Sequence, residues 1–190
     1  MATKILAGAA VLLAAFAFAG QAHATGGTYV FDGGTQKQKR EVKKALDASS
    51  FDWSLVPGTV TIHIGSVGTS YATPGHVYLD GELLNAGRFA WGIVQHEYAH
   101  QVDFLLLDAA KREALKTPLG SSAWCYEDAA VRDHGAQSCE RFASTLAWSY
   151  WQTADNSMQP AGRNDEAGAM APKAFKALLG SLLAPAPATA

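Results

Sequence analysis

The stretch His96-Glu97-Tyr98-Ala99-His100-Gln101-Val102-Asp103 decides how this chain is read. Two histidines stand four residues apart, with a glutamate directly after the first. On an α-helix, residues four apart lie on one face, one turn along. Two imidazoles so placed can bind one zinc ion from the same side. Glu97 sits one residue round the helix, where it can reach a water at the ion without binding the ion itself. The flanking sequence predicts a long helix from Gly87 to Leu107, with Asn85 as its cap. Its apolar residues, among them Phe89, Trp91, Ile93, Val94, Val102, Phe104 and Leu105, fall on more than one stripe, the pattern of a helix buried on several sides. Polar groups on such a helix need partners, and one ion satisfies both imidazoles at once.

A catalytic zinc needs a third protein ligand, with water in the remaining position. The extended pattern H-E-x-x-H-x-x-G-x-x-H is absent, because Asp103 and Leu106 stand where it needs Gly and His. The third ligand therefore lies elsewhere, and the downstream candidates are Glu127, Asp128, Asp133, His134 and Glu140. Asp103, on the next helical turn, is better suited to orienting a ligand or capping a neighbouring loop. Glu140 is the strongest choice. It opens a helix running to Trp151, whose face continues through Ser144 and Ala147, both small. Small residues let two helices approach closely, as a shared ion demands. His134 stays open as an alternative ligand.

The two segments together, His96-Glu97-Tyr98-Ala99-His100-Gln101-Val102-Asp103 and Glu140-Arg141-Phe142-Ala143, resemble the gluzincin group of HExxH zinc metallopeptidases (zincins), and within it the catalytic domain of the anthrax lethal factor type. The resemblance covers mainly residues 59–151. It implies one zinc ion on His96, His100 and Glu140, with Glu97 as general base. It also implies a strand, His76–Asp80, along the cleft rim, pairing with substrate backbone. That group carries a tyrosine a few residues before the glutamate ligand as oxyanion donor. Here Asp133 to Cys139 contains none. His134 can substitute, since an imidazole donates to an oxyanion, and Tyr126 is the alternative.

Working outward, Thr35 and Gln38 form a capping box for a helix to Leu46. Its Lys37, Lys39, Arg40, Lys43 and Lys44 read as a solvated face. Thr59–Ile64 alternates as a strand, Gly65–Gly75 is a loop, and His76–Asp80 is a short strand expected at a sheet edge. Lys111–Lys116 is a short helix, Pro118–Ser138 is irregular, Thr153–Met170 is a polar loop, and Pro172–Leu183 is a last amphipathic helix. The expected fold is α+β: a zincin-like single domain over 25–183, with a small twisted sheet whose edge strand overlies the active-site helix, then a helical C-terminal half.

Met1–Ala24 has the form of a cleaved signal peptide: Lys4, an apolar run from Ile5 to Ala19, and an Ala22-His23-Ala24 cleavage site. The run is short of the roughly 20 residues of a membrane span, so no stable anchor is expected. An exported chain permits a Cys125–Cys139 disulfide, the two being the chain's only cysteines. Ala184–Ala190 reads as a flexible tail. The formal net charge of −2 excludes a broadly basic nucleic-acid binder. The expectation is a secreted, monomeric zinc endopeptidase acting on peptide or protein. The alternatives are a zinc-binding or adhesion module without turnover, and amide hydrolysis in cell-wall peptides.

Overall fold

The computed structural model describes residues 27–125, 133–162 and 164–185. The signal-like segment, Tyr126, Glu127, Asp128 and the end of the tail lie outside the described residues.

Four strands form one sheet in the order β1-β2-β4-β3. They are β1 (Tyr29–Gly33), β2 (Val60–Gly65), β3 (Tyr71–Thr73) and β4 (His76–Asp80). β1, β2 and β4 run parallel, and β3 is antiparallel to β4. The period-two pattern of β2 puts Val60, Ile62 and Ile64 inside, with Val77 and Leu79 of β4 beside them. Two expectations change here. β4 is not an edge, since it is hydrogen-bonded to β2 on one side and β3 on the other. The edge beyond it is β3, three residues inside the stretch taken as a loop and too short to show alternation. β1 carries no clear pattern either, because both of its neighbours in sequence are glycine-rich and its outer face is exposed.

Helix α1 (Gln36–Ala48) begins at Thr35 with the capping box in place: the Gln38 amide N–H donates to Thr35 Oγ1, and Thr35 N–H donates to Gln38 Oε1 at 2.8 Å. It buries Val42, Ala45 and Leu46 and leaves its lysines outward. A short α2 (Gly81–Leu84) follows β4, and Asn85 ends it rather than capping the long helix. That long helix, α3 (Phe89–Leu106), has Arg88 at its N-terminus without a side-chain cap. A short helix, α4 (Ala109–Lys116), follows it, and α5 (Ser138–Tyr150) and α6 (Pro172–Leu183) complete the C-terminal half.

α3 is the axis of the domain. It packs on α1 and on β3 and β4 on one side and along α5 on the other. Twelve of its residues are buried, including Gln95, His96, Glu97, His100, Gln101 and Asp103. Val94, Tyr98 and Val102 of α3 and Phe142, Ala143 and Leu146 of α5 belong to one continuous buried core. Tyr98 also packs edge-on against Trp53, 5.2 Å between ring centroids, a geometry worth about 0.5–1.5 kcal/mol beyond burial. One turn before His96, Gly92 lets the 153–170 loop lie directly on the helix. A Cβ there would fall 2.9 Å from Ser157 N and closer still to Asn156 Oδ1. No helix among the described residues is long and apolar enough to cross a membrane.

Candidate metal centre

The HExxH spacing does on α3 what helical geometry requires. His96 Nε2 and His100 Nε2 come within 3.3 Å of each other. Glu140, in the first turn of α5, directs Oε2 to the same point, 3.2 Å from His96 Nε2 and 3.3 Å from His100 Nε2. Three donor atoms from two helices thus form a near-equilateral triangle. Zinc bonds of about 2.0–2.2 Å to nitrogen and oxygen in tetrahedral array separate such donors by about 3.3 Å. His96, Glu97 and His100 are all buried, and they too fall within ligand distance of one another as a group.

The hydrogen bonds behind His96 test whether a cation fits. Glu166 Oε2 can only accept, so the Ser144 hydroxyl, 2.9 Å away, donates to it. With its proton committed, Ser144 Oγ accepts from His96 Nδ1, also at 2.9 Å. A neutral His96 is thereby the Nδ1–H tautomer, with its Nε2 lone pair facing the carboxylate oxygen of Glu140. Two electron-pair donors facing each other in a buried site call for a cation between them. This is the arrangement in which an outer hydrogen bond orients a metal-binding imidazole. Burial works to raise the Glu140 carboxyl, but His100, His134 and His96 overcome it and hold it well below the usual carboxylate range.

Glu97 lies in the cleft beside this triangle. Burial raises its carboxyl above the ordinary value, with His96 and His100 pulling the other way. A carboxylate lifted toward neutrality is a better proton acceptor. His134 sits on a 3-10 turn (His134–Ala136) just ahead of α5, with Nε2 3.0 Å from Glu140 Oε2 and Nδ1 2.9 Å from Glu166 Oε1. Those two carboxylates raise its imidazole to about 10, so it donates from both nitrogens. It also belongs to a second ligand-distance group with His96 and Glu140.

Cys125 and Cys139 are bridged, with Cα atoms 5.5 Å apart. Their sulfurs lie 3.6 and 3.7 Å from Glu140 Oε1, so the bridge backs the third donor directly. Asp103 proves to be a loop anchor. It accepts from Trp124 Nε1 at 3.0 Å and from Arg112 Nε at 2.8 Å, holding the strand of chain that leads to Cys125.

The edge strand completes the cleft: Ser70, Tyr71 and Ala72 line one wall, facing His134, Cys125 and Glu140. A second cavity of about 320 Å³ opens beyond His96 and Glu97, with Leu83, Ile93 and Met158 as its apolar lining and Asp80 and Glu166 as its acidic part. Sequence reasoning brings His96, Glu97, His100, His134, Glu140 and the cysteines to this place. It misses Glu166, which sits in a polar loop with no periodic signal, and it reads Ser144 only as a small residue. Compared with known protein families, with curated proteins and with solved structures, the chain matches none.

Proposed function

We propose that the protein is an exported zinc-dependent hydrolase of peptide bonds, an endopeptidase. The observation that carries this reading is the convergence of His96 Nε2, His100 Nε2 and Glu140 Oε2 on one point, with a buried carboxylate, Glu97, at its side. Zinc held there supplies Lewis-acid polarisation of the scissile carbonyl and a lowered pKa for water. Glu97 then takes a proton from the attacking water and delivers it to the leaving amine. The His134 Nε2–H, which donates to Glu140 Oε2 in the free site, turns to the developing oxyanion, while Glu166 holds the ring by its other nitrogen. The oxyanion role thus falls to the imidazole.

An extended peptide lies along β3, which has a free edge on the cleft side, so main-chain pairing supplies affinity. A side chain beside the scissile bond enters the cavity lined by Leu83, Ile93 and Met158. The Cys125–Cys139 bridge supports an oxidising, extracytoplasmic location.

The test is metal analysis and peptide-library cleavage by the wild type and by Glu97→Gln. One zinc per chain in both, with cleavage lost by about 100-fold or more in the variant, is the expected result. Undiminished cleavage by Glu97→Gln, or tight zinc binding undiminished when both His96 and His100 are replaced by alanine, overturns the reading.

A further inference from the structure

On the outer face of the sheet, away from α3, a row of side chains crosses all four strands in register. Asp32 of β1 lies opposite His63 of β2, His63 opposite Tyr78 of β4, and Tyr78 opposite Tyr71 of β3. The rings of His63 and Tyr78 stack at 4.4 Å and 9°, and those of Tyr78 and Tyr71 at 4.5 Å and 10°. His76, two residues before Tyr78 on the same face, reaches diagonally so that its Nδ1 lies 3.0 Å from His63 Nε2. Asp32, His63, His76 and Tyr78 do not line the cleft of the buried centre; Tyr71 alone touches both.

The chemistry of the row points to a ligand. Asp32 Oδ2 lies 2.8 Å from His63 Nδ1. A carboxylate can only accept, so Nδ1 carries the proton, and a neutral His63 presents a lone pair at Nε2. Stacking on Tyr78 fixes the plane of that ring, so the lone pair has one direction. Without an ion, His76 satisfies it by donating its Nδ1 proton. His76 is exposed, and its proton can shift through water to Nε2, leaving two lone pairs face to face. Zinc–nitrogen bonds of about 2.0–2.1 Å need such nitrogens about 3.3 Å apart, so the nitrogens part by a few tenths of an ångström and the exposed His76 ring turns to aim its lone pair at the shared ion. A carboxylate behind one imidazole is the usual support of a metal-binding histidine.

We propose that His63 and His76 form a second metal site, for a divalent transition ion of the zinc class, with Asp32 as the orienting carboxylate. Two imidazoles and water suit zinc, copper(II) or nickel(II) rather than calcium or magnesium. With fewer protein ligands and more solvent, the site binds more weakly than the buried one.

The experiment is calorimetric titration of the untagged protein with zinc chloride, with circular dichroism as the check on folding. The wild type is expected to show two events, one tight and one weaker. His63→Gln and His76→Gln each remove the weaker event and spare the tight one. Asp32→Asn weakens it by about 10-fold or more. Glu140→Ala abolishes the tight event and leaves the weaker one, which separates this site from the proposed catalytic centre. No binding event in Glu140→Ala, or a weaker event that survives both glutamine variants, overturns the proposal.

Discussion

Glu166 holds His134: its Oε1 lies 2.9 Å from His134 Nδ1, across 32 residues of sequence. The other oxygen of the same carboxylate accepts from Ser144, which in turn accepts from His96. One side chain from the 153–170 loop therefore sets both the tautomer of His96, a candidate metal ligand, and the aim of the candidate oxyanion donor. The His134 hydrogen bond is also the main reason the Glu166 carboxyl stays below its ordinary value despite burial.

Glu166→Ala is expected to lower the hydrolysis rate by about 10- to 100-fold, the usual cost of losing an outer partner of a metal site. Zinc content should stay near one equivalent at saturating metal. Ser144→Ala, which cuts only the His96 branch, should act mainly on zinc affinity, and competition with a chelator dye distinguishes the two.

Gln101 is fully buried and ties α3 to the β3–β4 hairpin. Its amide donates to Thr73 O and His76 O at 3.0 Å each, and its oxygen accepts from Gly75 N at 2.7 Å. Gln101→Ala removes these three hydrogen bonds and the acceptor of Gly75 N–H, at a cost of about 1–3 kcal/mol. Urea unfolding measures it as a lower midpoint at unchanged slope.

Replacing both cysteines by serine opens a loop of 14 residues in sequence separation. The chain-entropy model gives a loss of about 3 kcal/mol. Because the bridge also backs Glu140, zinc affinity is expected to fall in the same variant, read by metal competition under conditions where the protein remains folded.

Asp80 provides the acid-side test. Its carboxylate accepts four backbone N–H groups, from Gly68, Leu83, Val67 and Glu82, and these hold its pKa below the ordinary value. A depressed folded-state pKa adds stability that is present above the unfolded value and lost as pH falls through the folded one. The wild type should therefore exceed Asp80→Asn in melting temperature at pH 7. The difference should narrow below about pH 4.

The HExxH turn, the α5 start at Glu140 and the cysteine pair were legible because each rests on local spacing or on simple pairing. α3 was legible for the same reason, down to its buried polar residues. β3 was not, since three residues cannot show a period, and with it went the identity of the edge strand. Glu166 was invisible because its role depends on a loop folding back onto Gly92, a contact that leaves no mark in the composition of the 153–170 stretch. Asp103 was half readable: its place on the helix allowed either an orienting or an anchoring role, and only Arg112 and Trp124 decide between them.

The Gln101 clasp has a mechanical consequence. The residue next to His100 is bolted to the turn between β3 and β4, so the edge strand that walls the cleft and the helix that carries two of the three donors form one jaw. The opposite jaw is made of the His134 turn and the Glu166 loop, joined by side chains rather than by a sheet. On the peptidase reading proposed above, a widening of the cleft comes from that second jaw. Its movement would release the imidazole and relax the Ser144 contact together, so opening and switching off would be one event.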